Sequence, residues 1–161
     1  MIFTDIELDK ITLQHDDGEF ITVKYNSGPL IIDAPKMYIP FGLEQEYNNY
    51  IIKLQFNRKN KDTIEFYNFL DRLESRLKIL LDSDELKTQL RPGGKYDPLL
   101  ITKIQRNKDK LQIDVKNNDE FINIFKIDKK IHAKSQIMID TIFKKNNQYF
   151  YKIKLKKLFI V

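Results

Sequence analysis

The chain has 161 residues and a mass of 19.3 kDa, the size of one domain. It is 42% hydrophobic and 32% charged, and no apolar run approaches the roughly 20 residues of a membrane span. It has no cysteine, which excludes disulfides, thiolate zinc sites and a cysteine nucleophile. The opening Met1–Lys10 has no basic region followed by a long apolar stretch, so no secretory signal is expected.

The first half reads as strands. Ile6–Leu13 is partly alternating, Asp16-Asp17-Gly18 is a turn signal, and Phe20–Tyr25 is rich in β-branched and aromatic residues. Asn26-Ser27-Gly28-Pro29 turns the chain into a short strand at Leu30–Ile32. In Ala34–Gly42 two prolines remove donors, so an edge strand or an extended loop is expected there. Asn49–Phe56 is the next strand.

One helix is clear. Asp62 and Glu65 have capping-box spacing, Phe66, Phe69, Leu70, Leu73, Leu77 and Leu80 form one apolar stripe, and the helix is expected to end near Leu81. That stripe must pack on a sheet or plug a barrel end. Arg91–Pro98 is the strongest loop signal in the chain. Strands are expected at Leu99–Ile104, Lys110–Val115 and Phe121–Phe125, with turns at Asn107–Asp109 and Asn117–Asp119. The last thirty residues read as a long hairpin, Ile131–Phe143 and Tyr149–Ile160. The expected fold class is mostly β (α+β), a Greek-key barrel with one main amphipathic helix and a long C-terminal hairpin, over a single domain spanning residues 1–161; the resemblance given below implies that the barrel is OB-like.

Charge is unevenly distributed. Residues 126–161 carry ten lysines against Asp128 and Asp140, whereas residues 1–125 carry 18 Lys/Arg against 21 acids. A basic end of this kind points to a polyanion partner, and a Lys-rich codon bias is the competing account. Alternation along the last strand sets Lys152, Lys154 and Lys156 on one face and Tyr149, Tyr151, Ile153, Leu155 and Phe159 on the other. Lys134 and Lys144 have the parity to widen the lysine stripe. The stripe serves either a nucleic-acid backbone or a solvated, aggregation-resistant edge. Single-strand binding also needs aromatic faces, and Lys36 with Tyr38 and Phe41, and Lys95 with Tyr96, set such faces beside cations. Tyr96 is the foremost stacking candidate, because its loop is the least expected to be buried.

Signals of catalysis are poor. His15 and His132 are the only histidines and lack metal-ligand spacing. There is no phosphate-binding glycine loop, nucleophile elbow or His-Glu-x-x-His. No enzyme activity, cofactor or metal is expected.

Four segments together resemble the phage-type OB-fold single-stranded-DNA-binding proteins of nucleocytoplasmic large DNA viruses. They are Pro35-Lys36-Met37-Tyr38-Ile39-Pro40-Phe41-Gly42, the helix Asp62–Leu81, Lys95-Tyr96-Asp97-Pro98, and the pair Ile139–Phe143 and Tyr149–Leu155. The family carries Trp in this closing hairpin, where Phe143 and Tyr151 stand here. The related phage proteins end in an acidic tail, whereas this sequence ends Lys156-Lys157-Leu158-Phe159-Ile160-Val161. The resemblance implies sequence-tolerant coating of single-stranded DNA during viral replication, in the host cytoplasm, without catalysis. The expected site residues are Lys36, Tyr38, Phe41, Lys95, Tyr96, Lys134, Lys144, Lys152, Lys154 and Lys156. The partner is single-stranded DNA, with RNA not excluded; replication proteins are further candidates, and monomer and homodimer both stay open. The alternative is a non-catalytic interaction module, a virion or replication-complex subunit, that uses a sheet edge between Pro35 and Pro40.

Overall fold

The computed structural model describes residues 1–16 and 18–161. Its strands are β1 (Ile11–His15), β2 (Phe20–Tyr25), β3 (Leu30–Ile39), β4 (Leu43–Glu46), β5 (Asn49–Gln55), β6 (Leu90–Arg91), β7 (Leu99–Ile104), β8 (Arg106–Asn107), β9 (Lys110–Leu111), β10 (Asp114–Asn117), β11 (Glu120–Phe121), β12 (Ile131–Ile139), β13 (Thr141–Lys145), β14 (Gln148–Tyr151) and β15 (Lys154–Ile160). One α-helix among the described residues, α1 (Lys61–Leu81), lies between β5 and β6 in the chain.

Five strands close into a barrel. β3 pairs with β5, β5 with β7, β7 with β15, β15 with β12, and β12 with β3. Numbered along the chain, these five run 1-2-3-5-4-1 around the barrel, the strand order of an OB-fold. The mostly-β class and the Greek-key barrel with one helix are therefore what the chain adopts. Inward residues Ile32, Ile39, Ile52, Leu54, Leu100, Ile104, Ile137 and Leu155 are buried in one hydrophobic cluster. A second sheet, ordered β1-β2-β13-β14, joins the amino-terminal hairpin to the tip of the closing hairpin.

The helix lies against β3 and the amino-terminal turns. Phe3, Phe56, Phe66 and Phe69 form an aromatic cluster with ring centres 5.1–6.4 Å apart. The buried stripe ends on Leu81 rather than Leu80, because Leu81 falls four residues after Leu77. The cap also differs from the capping-box expectation. Asn60 accepts from the Thr63 amide, and the Thr63 hydroxyl donates to the Asn57 carbonyl at 2.8 Å. Asp62 lies inside the first turn, where its charge favours the helix dipole.

Several local expectations are corrected by bulges and short turns. Within Ile6–Leu13 the chain makes a 3-10 turn at Leu8–Lys10 before β1 begins at Ile11. The turn signal at Asp16-Asp17-Gly18 includes Asp17, which lies outside the described residues. Lys110–Val115 is split into β9 and β10, and Phe121–Phe125 gives way to a 3-10 turn at Ile124–Lys126.

Ala34–Gly42 is neither edge nor loop as far as Ile39. β3 runs ten residues, between β12 and β5 in the closed barrel. Ala34 pairs with Ser135 and Met37 with Ala133, so Pro35 and Lys36 together oppose Lys134. Proline is tolerated because this β-bulge does not need its missing N–H. The sheet edge invoked for an interaction module is thus inside the barrel wall.

The closing hairpin is real, but both arms change sheets near Asp140 and Lys152. A second bulge at Lys156 separates the pairs Ile137–Leu155 and Gln136–Lys157. Beyond it the parity of β15 inverts. Leu158 is buried and Phe159 is 40% exposed, which overturns the single inward face expected from Tyr149 to Phe159.

Candidate nucleic-acid interface

OB-folds bind oligonucleotides across barrel strands 2 and 3, between the 1-2 and 4-5 connections. Here that face is the outside of β5 and β7, flanked by residues 40–48 and 140–153. Across it Ile51 pairs with Lys103, Lys53 with Ile101, and Gln55 with Leu99. Ile51 and Ile101 are buried yet lie outside the interior cluster, between the lysines. Long Lys side chains can cover such apolar ground with their stems.

Charges along this face are arranged in two ways. Lys53 is engaged: its Nζ is 3.5 Å from Glu44 and 4.0 Å from Glu46, both on β4, and 5.4 Å from the centre of the Phe41 ring. The cations at the other end are arranged differently. Lys103, Lys152, Lys154 and Arg106 line a cleft of about 370 Å³ with Asn48, Asn49 and Tyr50. Lys154 is taken by Asp140 at 2.9 Å, but no ion pair engages Lys103, Lys152 or Arg106 among the described residues. Burial lowers the Lys103 pKa below its ordinary 10.5, and the neighbouring Lys152 lowers it further, against a smaller opposing pull from Glu46. Crowding like charges, with Glu46 as the weaker opposing influence on Lys103, favours an incoming anion.

The residues expected from the sequence divide among several surfaces. Phe41 is 46% exposed at the start of the 40–48 connection, over the β5–β7 face. Tyr38 is half-buried on the outside of β3, opposite Gln55 of β5, with its ring 5.0 Å from His132. Lys95 and Tyr96 precede β7 at the other end of the face from Lys152. Tyr96 is 67% exposed, with the Lys95 ammonium 5.2 Å from its ring centre. Their loop is pinned rather than loose: Arg58 Nη2 donates to the Gly94 carbonyl at 2.7 Å, and the Tyr96 amide donates to Gly93. A Cβ on Gly93 would fall 2.2 Å from the Tyr96 carbonyl oxygen, so the loop needs glycine there.

The lysine stripe does not form as one row. Lys152 and Lys154 share the cleft, but the bulge turns Lys156 toward Asn107, Lys110 and Asp114. Lys144 is on the tip of the β13–β14 hairpin, 5.6 Å from the Tyr149 ring centre. Lys36 and Lys134 are exposed on β3 and β12, away from β7. Of the two aromatics standing where the family has Trp, Phe143 stacks on Phe150 at 5.2 Å. Tyr151 is buried, donating to Glu74 Oε1 at 2.7 Å, and offers no face to a ligand. Lys53, Lys103 and Arg106 were not singled out from the sequence. A lone Lys in the apolar strand Leu99–Ile104 was the signal available for Lys103.

The fold is a five-stranded OB barrel, and solved structures of phage single-stranded-DNA-binding proteins share it. Gp2.5, a single-stranded DNA binding protein encoded by bacteriophage T7, aligns with a TM-score of 0.61 at 11% identity, over 83% of this chain and 87% of that one. The C-terminally truncated single-stranded DNA-binding protein of bacteriophage Enc34 gives 0.54 at 14% identity, over 94% of both chains. Another structure of the Enc34 protein gives 0.50 at 13% identity, over 94% of this chain and 89% of that one. At these identities the likeness is one of fold. No protein-family model and no curated protein sequence matches the chain. No helix among the described residues is long and apolar enough to cross a membrane.

Proposed function

We propose that this protein is a non-catalytic, sequence-tolerant binder of single-stranded DNA, built as one OB domain over residues 1–161. The strand lies along the outside of β5 and β7. Lys103, Lys152 and Arg106 take phosphates at one end, and Phe41 and Tyr96 offer stacking faces along the path. The observation that carries this reading is the cluster of Lys103, Lys152 and Arg106, engaged by no ion pair among the described residues, at the mouth of an OB-type face. The fold shared with phage proteins that bind single-stranded DNA supports the same reading. We extend it to viral DNA replication in the cytoplasm of a host infected by a large DNA virus. The support for that step is the resemblance of the Pro35–Gly42, Lys95–Pro98 and closing-hairpin segments.

The reading is tested by titrating labelled single-stranded DNA, duplex DNA and RNA against the protein over a series of salt concentrations. Five phosphate contacts would give a slope of log K against log salt near −3.5, at about 0.7 per contact. Tighter binding of single-stranded DNA than of duplex, with that order of slope, is expected. Equal affinity for duplex, or indifference to salt, would refute it.

A further inference from the structure

The bulge at Lys156 turns Phe159 outward on β15, and the register brings it into a row with three other strands. Lys134 of β12 pairs with Phe159, Phe159 with Lys116 of β10, and Lys116 with Phe121 of β11. Cations and rings alternate, Lys-Phe-Lys-Phe, across four adjacent strands. Phe159 is 40% and Phe121 68% exposed, and the Lys116 ammonium is 4.7 Å from the Phe121 ring centre. Lys36, in the β3 bulge opposite Lys134, prolongs the row by one more exposed cation. The acids that flank the row are Asp114, paired with Lys157, Asp33, held by Gln136 and the amino terminus, and Glu120 beside Phe121, paired with Asn117.

We propose that this row is a second single-strand-binding surface, on a different part of the barrel wall from the β5–β7 face. The inference rests on the reading that the protein binds single strands at all. Its chemistry selects the ligand. Covering the rings with an apolar protein surface would desolvate the interleaved lysines without partners. A single strand supplies both complements, phosphates for Lys134 and Lys116 and base faces for Phe159 and Phe121. A duplex keeps its base faces stacked and satisfies only the lysines. The two rings are two strand spacings apart, about 9.6 Å, and a flexible strand can adjust to that. A long strand therefore engages both surfaces, and a short one is held by the β5–β7 face.

The test compares an oligothymidylate of about 8 nucleotides, within the range of one OB-fold site, with one of about 30. The variant is F121A/F159A, whose exposed positions should leave melting unchanged. Its affinity for the short strand should equal the wild type's, and its affinity for the long strand should fall about 30-fold, for two stacking contacts at the low end of their range. A second variant, K116A/K134A, should flatten the long-strand salt slope by about 1.4. Wild-type affinity of both variants for the long strand would overturn the proposal. A change in sedimentation with unchanged DNA affinity would also overturn it, marking the row as a contact between copies. Failure of the β5–β7 reading has its own signature: short-strand affinity that survives K103A/K152A.

Discussion

The carboxylates of β4 should compete with DNA for Lys53. Glu44 and Glu46 approach its ammonium at 3.5 and 4.0 Å, on the face where phosphates are expected. Glu44 Oε1 is buried without a hydrogen-bond partner, so an amide in its place forfeits no hydrogen bond at that atom. The variant E44Q/E46Q removes two negative charges from the path and frees one cation. Each removed repulsion, across roughly 7 Å of well-screened surface, is worth about 0.5 kcal/mol. The pair should then tighten binding about fivefold near 0.1 M salt, at 1.4 kcal/mol per factor of ten. Freeing Lys53 should also steepen the salt slope by about 0.7. Fluorescence anisotropy with oligothymidylate reads both quantities. The control is D71N/D84N, which makes the same change in net charge at exposed positions in and just beyond α1. Unchanged or weaker affinity for E44Q/E46Q, or an equal gain in the control, would refute the placement of the strand over Lys53.

Three other outcomes are expected. Because folding lowers the Lys103 pKa and a polyanion would raise it again, binding should take up a proton between those two values. Affinity should therefore fall as pH rises through that window, below the range of an ordinary lysine, and K103R should abolish the dependence because Arg stays charged; titrations at stepped alkaline pH check this. Tyr96→Ala should weaken binding roughly 5- to 150-fold, for one stacking contact, with its melting temperature and salt slope unchanged. A lower melting temperature with normal affinity would instead make Tyr96 an anchor of the loop that Arg58 pins. Burial and the Glu74 carboxylate push the Tyr151 phenol well above 10, so the folded state keeps this proton after the unfolded chain has released it. Stability should consequently decline as pH rises above 10, and Y151F should lose about 2 kcal/mol at neutral pH, for a buried hydrogen bond to a charged group, together with that alkaline decline; denaturant unfolding measures both.

The barrel was legible because its elements carry strong local signals. Alternation in Asn49–Phe56 and the three- and four-residue spacing in α1 do not depend on distant partners. The bulges were not legible. Pro35 argued for an edge because proline lacks a donor, yet the extra residue in β3 removes the need for that donor. The bulge at Lys156 inverted the parity of β15, so a simple alternation put Phe159 on the wrong face and kept Lys156 beside Lys154. The site was less legible still, because it depends on pairing between distant segments. Lysines close in sequence were scattered over different surfaces, and Lys103, Lys152 and Arg106, from two distant segments, were brought to one cleft. Only the pairing of β7 with β15, a single rung at Lys103 and Lys154, creates that neighbourhood.

The most direct measurement of the central claim is the salt dependence of short-strand binding by K103A/K152A beside the wild type. No ion pair engages either residue among the described residues, so the substitutions should leave the fold intact. The account predicts weaker binding to oligothymidylate and a slope flatter by about 1.4, for two lost phosphate contacts. A folded K103A/K152A protein with the wild-type slope and affinity would contradict it.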